Sequence, residues 1–332
     1  MKVGLIGAGR IGKIHAENIA VHMPRVSISR IADIAVDKVR DWAGRLGVPH
    51  VSADPNDVLN DPEIKAVIIC SSTDTHADLV SAAAASGKHI FCEKPVDLTV
   101  ARVKKALADV KKAGVKLQVG FNRRFDPSFR RAKELVESGK IGTPQLLRIS
   151  SRDPQPPPLD YVKVSGGLFL DMMIHDFDMA RYLLAEEVTE LMATGTCLID
   201  PAIGKCGDVD TAVVLLKFRS GALGTIDNSR QAVYGYDQRI EVFGSKGSVV
   251  VENKTPTEVT IHSADAIQSD KPLHFFLERY QEAYLAEMSQ FITCILEDRK
   301  PPVGGADGKI SVAMGYAAMK SLSTGTYVKV TP

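Results

Sequence analysis

Short β-branched runs alternate with stretches of helical apolar spacing along the first third of the chain. Val3 to Ile6, Val26 to Ala32, Ala66 to Ile69, His89 to Cys92 and Leu117 to Phe121 read as strands. Ile11 to Ala20, Val36 to Leu46, Thr75 to Ala85 and Val100 to Lys112 read as the helices between them. Ala66 to Ile69 is wholly apolar, as expected of a strand covered on both faces. This alternation predicts βαβ units and a parallel sheet, with right-handed crossovers placing helices on both sides.

The pattern changes after Phe121. Pro127 to Glu137 reads as a helix, Gln145 to Arg152 as a strand, and Leu168 to Leu184 as a second helix beyond a proline-rich bend. Strand-like runs follow at Val188–Cys197, Ala212–Phe218, Ala222–Ser229, Gln238–Phe243, Ser248–Glu252 and Glu258–His262. Few helices separate them, which predicts a largely antiparallel open sheet in an α+β domain. Helices over Phe276–Leu296 and Ile310–Ser321 close the chain. The expected organisation is an α/β domain over residues 1–121 and an α+β domain over 122–332, with a C-terminal helix that can pack back on the first.

Composition narrows the field. The chain has 332 residues, 45% of them hydrophobic, enough for two cores and too apolar for extended disorder. Lys+Arg 41 and Asp+Glu 40 nearly cancel, so no global basic footprint points to nucleic acid. The basic cluster Arg123, Arg124, Arg130, Arg131 and Lys133 reads as a solvated helix face with one substrate contact. No apolar run approaches the ~18 residues of a membrane span, and Met1 to Ile6 leads into a strand rather than a signal peptide. Cys70, Cys92, Cys197, Cys206 and Cys294 are scattered and form no C-x-x-C pair, which favours reduced thiols in a cytoplasm.

The clearest chemistry lies at the first strand–helix junction. Gly7-Ala8-Gly9-Arg10-Ile11-Gly12 fits G-x-G-x-x-G in the context the motif needs. Gly7 permits the tight turn, Gly9 lets the backbone approach a pyrophosphate, and Gly12 lets helix and strand pack closely. Asp33, at the end of the second strand, can accept hydrogen bonds from ribose hydroxyls and would repel a 2′-phosphate. Ile34 and Ala35 supply no cation, so NAD is expected rather than NADP.

Glu93-Lys94-Pro95 follows the strand His89 to Cys92. In a doubly wound sheet that places Lys94 at the ligand-facing edge, where partial burial and a neighbouring cation would lower its affinity for a proton. Asp171 and His175 stand at i, i+4, on one face of the helix predicted there. Gly166-Gly167 just upstream leaves room for close backbone approach. Metal ligation, a structural Asp–His pair and an acid–base constellation are all compatible with that spacing. The first lacks a third ligand, and the last is favoured because His titrates near neutrality.

The motifs occur in one order: the glycine-rich loop, Thr73-Asp74-Thr75-His76, Glu93-Lys94-Pro95, Phe121-Asn122-Arg123-Arg124-Phe125-Asp126-Pro127 and Asp171-x-x-x-His175. Ser151-Arg152-Asp153-Pro154 and Tyr234-Gly235-Tyr236-Asp237-Gln238-Arg239 add to the match. In this the chain resembles the Gfo/Idh/MocA oxidoreductase family over nearly its whole length, nearest to the bacterial inositol 2-dehydrogenases. It departs from many members at Cys70-Ser71-Ser72-Thr73, which has no Thr-Pro pair.

The resemblance implies NAD-dependent oxidation of a secondary hydroxyl of a cyclic polyol such as myo-inositol. Lys94, Asp171 and His175 would be its acid–base set. Gly7, Ala8, Gly9, Arg10, Ile11, Gly12, Asp33, Ser72, Thr73, His76, Glu93 and Lys94 would hold the cofactor. Asn122, Arg123, Asp153 and Tyr236 would join Lys94, Asp171 and His175 around the substrate. No metal is called for. Sheet-mediated homodimers or tetramers are expected, with no nucleic-acid or membrane partner. A related sugar or scyllo-inositol dehydrogenase of the same family is the nearest rival reading. A cofactor-binding sensor without turnover is a rival of another class.

Overall fold

A computed structural model describes residues 1–331, which cluster into two compact units. The first comprises residues 1–125 and 282–312, and the second 126–281 and 313–331.

The first unit alternates β1 (Lys2–Ile6), α1 (Arg10–His22), β2 (Ser27–Ala32), α2 (Val36–Arg45), β3 (His50–Ser52), α3 (Asn56–Leu59), β4 (Ile64–Ile69), α4 (Thr73–Ala85), β5 (His89–Glu93), α5 (Val100–Ala113) and β6 (Leu117–Gly120). All its strand pairs are parallel, in the order β3-β2-β1-β4-β5-β6. The order reverses between β1 and β4, so the carboxyl ends of those strands flank the topological switch point where doubly wound sheets bind ligands. Val3, Leu5, Ala66, Ile68 and Phe91 of the sheet pack with Ala16, Ile19 and Trp42 of the helices. Met288, Phe291 and Ile292 of the late helix α11 (Gln281–Leu296, numbered in chain order below) complete that core. Phe291 meets Phe91 edge-on with centroids 5.8 Å apart.

The second unit opens with α6 (Pro127–Glu137). Pro127 stands at its start, and Asp126 accepts from the Ser128 and Phe129 amides. There follow β7 (Pro144–Arg152), α7 (Leu159–Ser165), a π-helical turn over Leu168–Met172, α8 (Ile174–Leu184), β8 (Val188–Thr196), α9 (Pro201–Lys205), β9 (Thr211–Phe218), β10 (Leu223–Ser229), β11 (Asp237–Gly244) and β12 (Gly247–Val251). After β13 (Thr260–His262), β14 (Ile267–Ser269) and α10 (Phe276–Arg279) come α11, α12 (Gly305–Thr324) and β15 (Val328–Lys329).

Seven strands form a sheet in the order β12-β11-β7-β10-β9-β8-β15. Every pair is antiparallel except β7–β10. The exception follows from the connection: α7 and α8 carry the chain back, so β8 restarts in the direction of β7. The meander β8–β9–β10 then returns β10 beside β7 in parallel. Alternation along the strands buries Leu147, Ile149, Val214, Leu216, Ile226 and Val242 on the face covered by α6 and α8. The opposite face exposes Leu146, Val213, Leu215, Leu223, Phe243 and Val250.

Several expectations need correction. The helix expected over Leu168–Leu184 is a π-turn followed by α8, with the Met173 amide bonded to the Leu168 carbonyl five residues back. The helix expected over Phe276–Leu296 breaks at Tyr280. The strand expected over Glu258–His262 shrinks to Thr260–His262. The short elements β3, α3, α7, α9, β14 and β15 are too brief to show a period. Arg123 and Lys133 are buried and Arg124 pairs with Asp307 at 3.0 Å, so the basic cluster is not one solvated face.

Candidate active site

The glycine-rich loop joins β1 to α1 at the switch point. Gly7 has φ +90°, and a Cβ there would lie 2.4 Å from the Ser71 nitrogen. A Cβ on Gly12 would lie 2.0 Å from the Gly7 carbonyl oxygen, whereas one on Gly9 would meet nothing within 4 Å. Gly7 and Gly12 are thus fixed by the protein's own packing, and Gly9 leaves an open approach to its backbone. No side chain caps the start of α1, and its first turn contains no acidic residue. Its amide end therefore suits a phosphate, as a dinucleotide requires.

Asp33 lies against this loop. Its carboxylate accepts from the Ala8 amide at 2.7 Å and the Ala35 amide at 2.8 Å. One lone pair on each oxygen is thereby used, and the others remain for ribose hydroxyls. Arg10 and Ile11 open α1 beside it.

The remaining candidates of the first unit share the carboxyl edge of the parallel sheet. Ser72 and Thr73 start α4 after β4, Glu93 ends β5 with Lys94 next, and Asn122 and Arg123 lie in a 3₁₀ turn after β6. Asn122 and Arg123 are buried, and Lys94 is half-buried. The buried His15 faces Glu93, Nε2 to Oε1, at 2.9 Å. His76 is buried as well: its Nδ1 lies 2.8 Å from the Pro95 carbonyl and its Nε2 2.9 Å from that of Ser71. Those contacts tie the start of α4 to the segment carrying Lys94. They occupy both ring nitrogens, so His76 buttresses the cofactor side through the backbone.

In the second unit the π-turn presents Asp171, and His175 is the second residue of α8. Gly166 ends α7 with φ 87°, and Gly167 follows at φ 76°. A Cβ on Gly167 would strike Asp208 Oδ1 at 2.6 Å. Asp208 accepts from the Leu168 amide at 3.0 Å and so fixes where the π-turn begins. The buried Asp176 accepts from Ser151 of β7 at 2.6 Å and Asn228 of β10 at 2.9 Å. It locks the first turn of α8, and with it the backbone of His175, onto the sheet.

Arg230 draws two of the candidates together. Its guanidinium donates to Asp153 Oδ2 and to Asp171 Oδ2, each at 3.2 Å. Tyr161 donates to Asp171 Oδ1 at 2.9 Å. Loss of water around its hydroxyl, reinforced by the Asp171 charge, pushes Tyr161 well above its usual range, so it stays a donor although the residue as a whole is exposed. Burial would weaken the Arg230 cation, but Asp171 and Asp153 outweigh it and hold the group charged. Tyr236 is buried too, edge-on to Tyr280 with centroids 6.0 Å apart.

Sequence reasoning missed Arg230, Tyr161, Asp208, Asp176 and His15. Arg230 is separated from Asp153 by 77 positions and from Asp171 by 59, so no local spacing links them. It also named no metal ligands, whereas ligand atoms of His15, Cys70 and Glu93 lie within 4.8 Å of one another. Burial beside Glu93 holds the Cys70 thiol protonated, and His15 already pairs with Glu93, so this group reads as hydrogen-bonded support for the β5 end.

Comparison with known proteins identifies the scaffold. Residues 1–121 match the oxidoreductase family with an NAD-binding Rossmann fold, and residues 129–250 match the GFO/IDH/MocA C-terminal domain. The chain belongs to the GFO/IDH/MocA oxidoreductase family. A myo-inositol 2-dehydrogenase of Thermotoga maritima is 53% identical over 99% of this chain and 98% of its own. A solved dehydrogenase structure from that organism superposes with a TM-score of 0.97 at 52% identity, covering 99% of each chain. A scyllo-inositol dehydrogenase from Lactobacillus casei, solved with bound NAD(H) and scyllo-inositol, superposes with a TM-score of 0.93 at 31% identity, covering 99% of each chain. The chain is thus an enzyme of an NAD-dependent oxidoreductase family, and its glycine-rich loop and Asp33 fit that cofactor. Among the described residues no helix is long and apolar enough to cross a membrane.

Proposed function

We propose that this chain is an NAD-dependent dehydrogenase that oxidises a secondary hydroxyl of a cyclic polyol, converting myo-inositol to 2-keto-myo-inositol. The observation that carries the reading is that the chain holds Lys94 just past β5 of a Rossmann sheet and, in its second unit, an Asp171 fixed by Tyr161 and Arg230 four residues before His175. Bound NAD would accept the hydride from the carbinol carbon. His175 takes the hydroxyl proton, since an imidazole changes charge near neutral pH. Lys94 hydrogen-bonds the same oxygen and stabilises its alkoxide character. Asp171 orients His175 and favours its protonated form. Gly7 to Gly12, Asp33, Ser72, Thr73 and Glu93 form the cofactor surface, with His76 acting through the backbone.

Asn122, Arg123, Asp153 and Tyr236 serve the remaining hydroxyls. A polyol suits such a set, because each polar group buried on binding needs a partner. Oxidation of scyllo-inositol is the second reading, favoured by the ligand of the Lactobacillus casei structure. The exposed apolar face of the seven-stranded sheet supports a homo-oligomer. Five free cysteines support a reducing, cytoplasmic setting.

The test is absorbance at the NADH band with NAD or NADP and a panel of myo-inositol, scyllo-inositol and glucose. NAD reduction led by myo-inositol is expected. Turnover led by another polyol would replace the substrate and keep the chemistry. NAD binding without turnover on any polyol would favour a sensor.

A further inference from the structure

Arg230 is a guanidinium buried where the fold alone does not call for one. Its side chain is 4% exposed, and its amide is fixed by the Asp210 carbonyl at 2.8 Å. On either side, the Asp153 amide bonds to the Ser229 carbonyl and the Ala232 amide to the Asp153 carbonyl. The end of β10 is thereby held against the end of β7, and the guanidinium is aimed before any ligand arrives. Burying an ion pair gains little stability over well-packed apolar residues, because desolvation offsets the attraction. What a rigid fork does provide is a fixed bearing for two carboxylates.

We propose that Arg230 is a positioning residue of the reaction, holding Asp153 and Asp171 as one fixed, ionised pair so that Asp171 can orient His175. The inference rests on the acid–base reading of Asp171 and His175 above. Four groups face the guanidinium: Asp153 after β7, Asp171 in the π-turn, Asp208 in the loop before β9, and Tyr161 of α7. Tyr161 takes one oxygen of Asp171 and Arg230 the other, so the carboxylate has one orientation. One end of the fork thus serves the acid–base pair and the other the proposed substrate acceptor Asp153.

The experiment compares Arg230→Met, Arg230→Lys and His175→Ala with wild type, using NAD and myo-inositol, for kcat, KM, the pH profile of kcat/KM and thermal unfolding. Arg230→Met is expected to lose about 10²-fold in kcat, the scale of a small misplacement of reacting groups. Its acidic limb should move to higher pH, because taking away a cation next to the proposed Asp171–His175 pair favours the protonated form of that pair. Arg230→Lys should keep the limb near wild type while kcat falls, since one ammonium cannot fork between two carboxylates. A folded Arg230→Met with the wild-type pH profile and kcat within about threefold would overturn the proposal. If Arg230→Met fails to fold, wild-type kcat in Arg230→Lys overturns it instead. Full activity in His175→Ala would remove the acid–base reading beneath it. A dead His175→Ala beside a wild-type-like Arg230→Met would remove the Arg230 assignment alone.

Discussion

Asp33 concentrates the cofactor choice in one side chain. Its two oxygens are turned and held by the Ala8 and Ala35 amides, so the charge cannot swing away from a 2′-phosphate. Exchanging Asp33 for Ser removes that repulsion, together with the carboxylate acceptor of the Ala8 and Ala35 amides. The NAD over NADP preference in kcat/KM should fall by about tenfold or more, the weight of ~1.4 kcal/mol. An unchanged ratio in the Ser variant would show that discrimination lies elsewhere. Asp33 was legible in the sequence because its offset from the glycines is set by one βαβ unit. Arg230 was not, because its partners come from separate elements.

At the scale of elements, the loop between β8 and β9 is built on one carboxylate. Burial alone would raise the Asp210 carboxyl. The amides of Leu198, Asp200 and Ile199 and the Thr211 hydroxyl more than offset that and hold it below the usual carboxylate range. A carboxyl depressed in the folded state adds stability that is complete above its unfolded value and is lost as pH falls through its folded value. Asp210→Ala should cost about 2 kcal/mol at neutral pH, because it orphans three partly buried amides. Melting temperatures taken from neutrality to about pH 3 should show the gap to wild type narrowing on the acid side. A gap that stays constant with pH would mean the carboxylate is not the source.

The long elements were readable in advance because their periods run for many residues, whereas Pro201–Lys205 and Val328–Lys329 are too short to show one. The π-turn was hidden for another reason. Leu168–Met172 is a single turn, too short to register as a break in the apolar spacing, and it is marked by the Met173 amide bonded to the Leu168 carbonyl and the Leu168 amide bonded to Asp208. Asp171 and His175 could be found by spacing, but the turn that presents Asp171 could not.

At the scale of the whole molecule, two units divide the work. The first carries a parallel sheet in the β3-β2-β1-β4-β5-β6 order with its glycine-rich loop at the reversal. The second carries a sheet with one face under helices and the other bare. Along the bare face, Leu146 lies opposite both Leu223 and Phe243, so the apolar side chains form a continuous stripe. A self-association through that face predicts an oligomer by light scattering after size exclusion. The double exchange Leu215→Glu with Phe243→Glu should reduce it to a monomer of unchanged far-UV dichroism. A monomeric wild type would contradict the interface.

The proposed function stands on hydride transfer from a cyclic polyol to NAD. It is tested most directly with myo-inositol deuterated at the carbinol carbon to be oxidised, by mass analysis of the reduced nicotinamide product. One deuterium per reduced cofactor is expected, with 2-keto-myo-inositol in equal amount, and both should be lost together in Lys94→Ala. Reduced cofactor without deuterium, or no reduced cofactor from a protein that binds NAD, would contradict it.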